Sequence, residues 1–166
     1  NRAWTHGRVA FVTLNVPGAD NNVGHDAAND AEARARDAAN ARWLARSVDD
    51  AIAANAAALV ILVQANPWRI HKRRDAYAPF LASLTQAARR FVRPVLFVHG
   101  DTHTYRIDAP LADAQGPVAN VIRLETYGSP FVGWVQVDVD PADPQPPAST
   151  MPLLTTLMLP AFAVLA

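Results

Sequence analysis

The chain has no cysteine. That excludes disulfides, zinc–thiolate sites and thiolate nucleophiles, although it assigns no compartment. Lysine is almost missing, Lys72 being the only one, while arginine and alanine are frequent. We read this as coding bias rather than function. Excess charge of one sign is also absent. With 15 basic and 15 acidic residues, nothing points to nucleic acid or to an acidic partner. No Gly-x-Gly-x-x-Gly follows a strand-like run, and neither a P-loop nor a Gly-x-Ser-x-Gly elbow occurs. The commonest nucleotide-binding and serine-hydrolase readings are thereby removed. No internal repeat is visible.

What remains is a sequence of 166 residues, 51% apolar, which suits one domain with a real core. It opens on Asn1-Arg-Ala-Trp without a signal-peptide pattern and reads as a chain entered mid-fold. Arg8 to Asn15 is β-branched and aromatic and predicts a buried strand. Val16 to Asp30 predicts a polar loop. A long helix follows from Ala31 to about Ala54, with Ala41, Leu44, Val48 and Ile52 as its apolar stripe and Trp43 beside it. Ala57 to Val63 is a continuous apolar run, expected of a strand covered on both faces. Tyr77, Phe80, Leu81, Leu84, Ala88 and Phe91 predict a second amphipathic helix, and Val95 to Val98 a third strand after Pro94. Asn120 to Thr126 and Val132 to Val139 read as two more strands, joined by Tyr127-Gly-Ser-Pro130. The order β-α-β-α-β-β-β argues for a layered α/β fold.

The densest chemistry is His99-Gly-Asp-Thr-His103, at the carboxyl end of the third strand, where open α/β sheets place ligand sites. Asp101 and His103 are two apart and would point the same way if strand geometry continued. Imidazole and carboxylate suit Zn²⁺, Mn²⁺ or Fe²⁺. An N-cap aspartate and a hydrogen-bonded histidine explain the same pair without a metal, since two ligands do not make a site. Gln64-Ala-Asn-Pro67 ends the preceding strand and would lie nearby, its amides able to ligate weakly or to bind an ester oxygen. A polar strand exit is the plainer explanation. His25 with Asp20, Asn21 and Asn22 could line a cleft, although loop polarity alone accounts for them. The basic loop His71 to Arg74 could attract phosphate, and a solvated charge run is the alternative. His6 has no local partner.

In order and spacing, these segments resemble the carboxyl-terminal half of a calcineurin-like metallophosphoesterase. Trp43-Leu44 matches that family's Trp-Leu helix, and Leu59 to Pro67 its strand ending in a histidine motif before proline. Val95 to His103 matches its strand ending in Gly-His-x-His, here Gly100-Asp-Thr-His103, and Asn120 to Val139 its closing antiparallel strands. The similarity runs from about Trp4 to Pro141. It implies part of a two-sheet β-sandwich flanked by helices. It also implies two divalent metal ions (Mn, Zn or Fe) and hydrolysis of phosphate mono- or diesters by metal-bound hydroxide. His103 matches a metal-ligating histidine. Asp101 stands where the family has another, and only Gln64 and Asn66 stand where it has a third. His99, Asn21, Asn22 and His25 are the expected substrate-side residues. The family's upstream Asp-x-His, Gly-Asp-x-x-Asp and Gly-Asn-His motifs do not occur. The expectation is a fragment, inactive by itself, lacking half of its central sheet. The alternative is a non-catalytic binding or structural module with a degenerate metal site.

The domain-like part is expected over residues 1–140, with a proline-rich linker over 141–150 and an apolar tail over 151–166. The expected partner is a small phosphate ester. The tail, Met151 to Ala166, is uncharged but broken by Pro152 and Pro160, and falls short of the ~18–20 residues of a membrane-spanning helix. It reads either as a terminal strand or helix on the core, or as a truncated membrane anchor.

Overall fold

The structure is a computed structural model describing residues 1–69, 75–130, 133–137 and the backbone of 156–160. The basic loop His71 to Arg74, the proline-rich linker and most of the apolar tail lie outside the described residues. Among the described residues ten strands and three helices follow in chain order: β1 (Ala3–His6), β2 (Val9–Thr13), α1 (Gly18–Asn21), α2 (Ala27–Ala53), β3 (Ala58–Leu62), α3 (Ala78–Phe91), β4 (Val95–His99), β5 (Arg106–Asp108), β6 (Ala112–Asp113), β7 (Gly116–Pro117), β8 (Val121–Glu125), β9 (Gly133–Val137) and β10 (Thr156–Pro160).

Six strands form one mixed sheet in the order β1-β2-β3-β4-β8-β5. The four inner strands β2, β3, β4 and β8 are parallel, while β1 and β5 close the edges antiparallel. The chain steps from β2 to β3 to β4 in one direction across the sheet. Right-handed crossovers in one direction put their helices on one face, and α2 and α3 do share a face. Their Leu44, Val48, Phe80, Leu84 and Phe91 pack on Val12, Leu59, Ile61, Val95, Phe97 and Val121 in the main core. Phe97, Leu44 and Leu84 are sealed from solvent, and each such burial contributes about 1.5–3 kcal/mol.

Residues of the opposite parity, Val9, Val60, Leu96 and Leu124, form a smaller core on the other face. Val135 and Val137 of β9 pack against it, and β10 pairs antiparallel with β9. The expected mixed α/β architecture is therefore present. A short second ladder lies against the sheet's second face through Val135 and Val137.

Several details differ from expectation. The long helix begins at Ala27 rather than Ala31, because Asp26 caps it by accepting the Asn29 N–H at 2.8 Å. The polar loop before it contains the tight turn α1, where Ala19, Asp20, Asn21 and Asn22 all have φ between 52 and 62°. Closing strand β8 is parallel to β4 and antiparallel only to β5. β1 was unreadable as a buried strand because all four of its residues are exposed. Within the tail, the backbone of Thr156–Pro160 is a strand. Among the described residues no helix is long and apolar enough to cross a membrane.

Candidate functional site

Parallel pairing brings the carboxyl ends of β2, β3, β4 and β8 to one edge of the sheet. There Leu14, Leu62, Val63, Gln64, Gly100 and His103 line an open cleft of about 540 Å³. Strand geometry stops at His99, and His103 has φ 58°, so Asp101 and His103 do not continue one strand face. They have different tasks.

Asp101 braces the loops. Its Oδ1 accepts from Gln64 Nε2 at 3.2 Å, and its Oδ2 from the Asn66 N–H at 3.0 Å. Gln64 Oε1 accepts the Gly18 N–H. A Cβ at Gly18 would stand 3.1 Å from Asp101 Oδ1 and 3.2 Å from Gln64 Oε1, so the three loops cross closely here and a larger residue would push these side chains aside by a few tenths of an ångström. Asn66 is buried, and its Oδ1 accepts from the Trp68 N–H at 3.1 Å and from Arg123 Nη1 at 3.3 Å.

His103 is exposed, but its ring is held. Nδ1 lies 2.7 Å from the Ser129 carbonyl oxygen. A carbonyl only accepts, so Nδ1 carries a proton, and in the neutral ring the lone pair then sits on Nε2. A Cβ at Gly128 would meet the ring at 2.4–2.8 Å, so the ring seats on bare backbone. This pattern, in which one nitrogen is tied to a carbonyl and the other turned into a ligand-ready acceptor, is the usual support of a metal-ligating histidine.

On the helix side of the sheet lies a buried polar group that adds Glu125 and Arg123, which the sequence did not single out, to His99. Glu125 is fully buried, and its Oε1 accepts both the N–H (3.1 Å) and the hydroxyl of Thr102. Arg123, 3% exposed, pairs with Asp108 through Nε at 2.7 Å and through a second nitrogen. Its guanidinium lies 5.1 Å from the Trp68 ring centroid. His99 is buried opposite Glu125, and neither ring nitrogen has a hydrogen-bond partner among the described residues. Burial first, then Arg123, pushes its pKa down to about 4 against the pull of Glu125, Asp101 and Asp108. It is a neutral interior imidazole rather than a cleft residue.

The remaining candidates stand elsewhere. Asn21 is fully buried, with Nδ2 donating to Asp37 (3.0 Å) and to the Ala76 carbonyl (3.1 Å), and Oδ1 accepting from Arg36 at 2.6 Å. Its N–H donates to the Tyr77 hydroxyl, which donates in turn to the Pro17 carbonyl. Burial pushes that phenol up to about 12. Asn21 therefore pins the left-handed turn. Asn22 turns toward α2, donating to Asn29 and Glu32, and His25 is exposed beside the start of that helix. The structure joins none of the three to the cleft lining.

Among the described residues no three His, Asp or Glu side chains stand close enough to hold a metal ion. The donor set does not fit a two-metal centre. His103 is suited to ligation, whereas Asp101, Gln64 and Asn66 are already engaged in joining loops. The chain matches no protein-family profile and no curated protein.

Proposed function

We propose that this chain is the strand-end half of a metal-dependent phosphoesterase, whose remaining ligands lie outside the residues described. The supporting observation is His103. Its Nδ1 is tied to Ser129 at 2.7 Å, its ring is seated on Gly128, and it borders a cleft at the carboxyl edge of a parallel sheet. In this reading the Nε2 lone pair of His103 would be a metal ligand. The apolar wall of Leu14, Leu62 and Val63 takes the organic part of a small phosphate ester. Asp101 keeps the cleft's walls in register.

The test is to extend the reading frame upstream of Asn1 and assay aryl phosphate mono- and diesters with Mn²⁺ or Zn²⁺. We expect an extension bearing Asp-x-His, Gly-Asp-x-x-Asp and Gly-Asn-His segments, and hydrolysis that His103→Ala abolishes. An in-frame stop, or an extended protein that hydrolyses neither ester class, contradicts the proposal.

A second reading, a non-catalytic binding or structural module of the same family type, is favoured by the engagement of Asp101, Gln64 and Asn66 in loop-to-loop hydrogen bonds. It predicts a ligand that raises the melting temperature equally in wild type and His103→Ala.

A further inference from the structure

Glu125 is an expensive residue at its position. A carboxylate with no solvent access carries a desolvation cost that an apolar side chain of similar volume avoids. Yet β8 ends on it, fully buried, directly opposite His99 in the ladder with β4. Its Oε1 receives two hydrogen bonds from one residue, the N–H and hydroxyl of Thr102. Thr102 is the link between Asp101, which braces the loops, and His103, which faces the cleft. The neighbouring strand ends are interlocked as well. The Thr126 N–H donates to the His99 carbonyl at 2.9 Å, and Thr126 Oγ1 lies 3.0 Å from where a Gly100 Cβ would stand. His103 follows the clamp immediately, in a left-handed conformation (φ 58°) that only its surroundings maintain.

We infer that Glu125 is a positioning residue: by clamping Thr102 it fixes the left-handed turn that presents His103 to the strand-end cleft. This rests on the cleft being the functional site, but its test does not need activity. The full chain, labelled with ¹⁵N-histidine, reports the tautomer of His103 directly. Wild type should show the Nδ1–H form imposed by Ser129. In Glu125→Met the clamp is lost, and the ratio of Nδ1–H to Nε2–H at His103 should fall about fivefold, the weight of one net hydrogen bond. Amide signals of β4 and β8 should persist. Glu125→Gln keeps a carbonyl acceptor for Thr102 and should restore the wild-type ratio. Should Glu125→Met fail to fold, Thr102→Val removes the hydroxyl donor alone and should lower the ratio in the same direction.

A folded Glu125→Met with the wild-type ratio overturns the inference, as does an unchanged ratio in Thr102→Val where Glu125→Met does not fold. A wild-type His103 that is Nε2–H also overturns it. A shifted ratio in a protein whose extended form hydrolyses no phosphate ester leaves the positioning role intact and sinks only the functional reading.

Discussion

His99 and Glu125 stand directly opposite each other at the carboxyl ends of β4 and β8, on the helix side of the sheet, and neither reaches water. The consequence for His99 is a proton affinity set by burial. Its pKa falls to about 4 from 6.5, with Arg123 lowering it further while Glu125, Asp101 and Asp108 oppose the shift. Between those two values the unfolded chain binds the proton and the folded chain does not. The stability involved is present above pH 6.5 and is lost as pH falls toward 4, on the order of 3 kcal/mol in total. Urea unfolding between pH 4 and 7 should show a smaller slope for His99→Leu than for wild type. Equal slopes would mean that folding leaves the proton affinity of His99 unchanged.

Arg123 and Asp108 form an unequal pair, the first 3% and the second 39% exposed at the side chain. Asp108→Ala leaves a buried guanidinium without its main partner and should destabilise by about 2–4 kcal/mol. Arg123→Met frees a carboxylate that water already reaches, leaves Asn66 Oδ1 with the Trp68 N–H as its donor and keeps an apolar contact for the Trp68 ring, and should cost about 1–2 kcal/mol. Chemical denaturation of the two variants checks the order, and a larger loss in Arg123→Met contradicts it.

Asn21 lies within four consecutive residues in the left-handed region, which Asp20, Asn21 and Asn22 enter more readily than Ala19, for which it costs roughly 1–2 kcal/mol. Asn21→Ala removes the hydrogen bonds to Asp37, Ala76 and Arg36. Loss of these buried contacts should cost about 2–4 kcal/mol. Hydrogen exchange should locate the change: the Asn21 and Val23 amides, bonded to Tyr77 and Asp20, should exchange faster before the sheet does.

Gly128 has no room for a side chain beneath His103. Gly128→Ala should displace the ring and break its bond to Ser129, at a stability cost of about 1–3 kcal/mol. Histidine ¹⁵N shifts would show the Nδ1–H form lost at His103 and unchanged at His99. Retention of that form at His103 contradicts the seating.

The layered fold was legible because its strong signals are local. Ala57 to Val63 has the length and β-branched content of a buried strand, and Phe80, Leu84 and Phe91 have the spacing of one helix face. β1 was not legible, since an edge strand with four exposed residues has no apolar pattern to read. Of the site, the His99–His103 segment was found from residue types and its place after a strand. The roles within it were not. Asp101 and His103 diverge because the turn at Thr102 breaks the period of two, and that turn depends on Glu125, 23 positions away. Arg123 and Glu125 alternate with Ile122 and Leu124, a pattern that reads as the wet face of a strand. Their burial goes with Trp68 over Arg123 and with the β4 exit at Thr102 over Glu125, which no local window contains. Asn21 looked like a cleft residue for the same reason: its partners Asp37 and Tyr77 are distant in sequence.

The measurement closest to the central claim is a Mn²⁺ titration followed by paramagnetic broadening of the histidine ring signals. If His103 is the ligand-presenting residue of the strand-end cleft, its ring signals should broaden at lower Mn²⁺ than those of the exposed His6 and His25, and His103→Ala should remove the effect without changing the fold. Broadening that begins at His6 or His25, or that is equal at all three, would contradict the account.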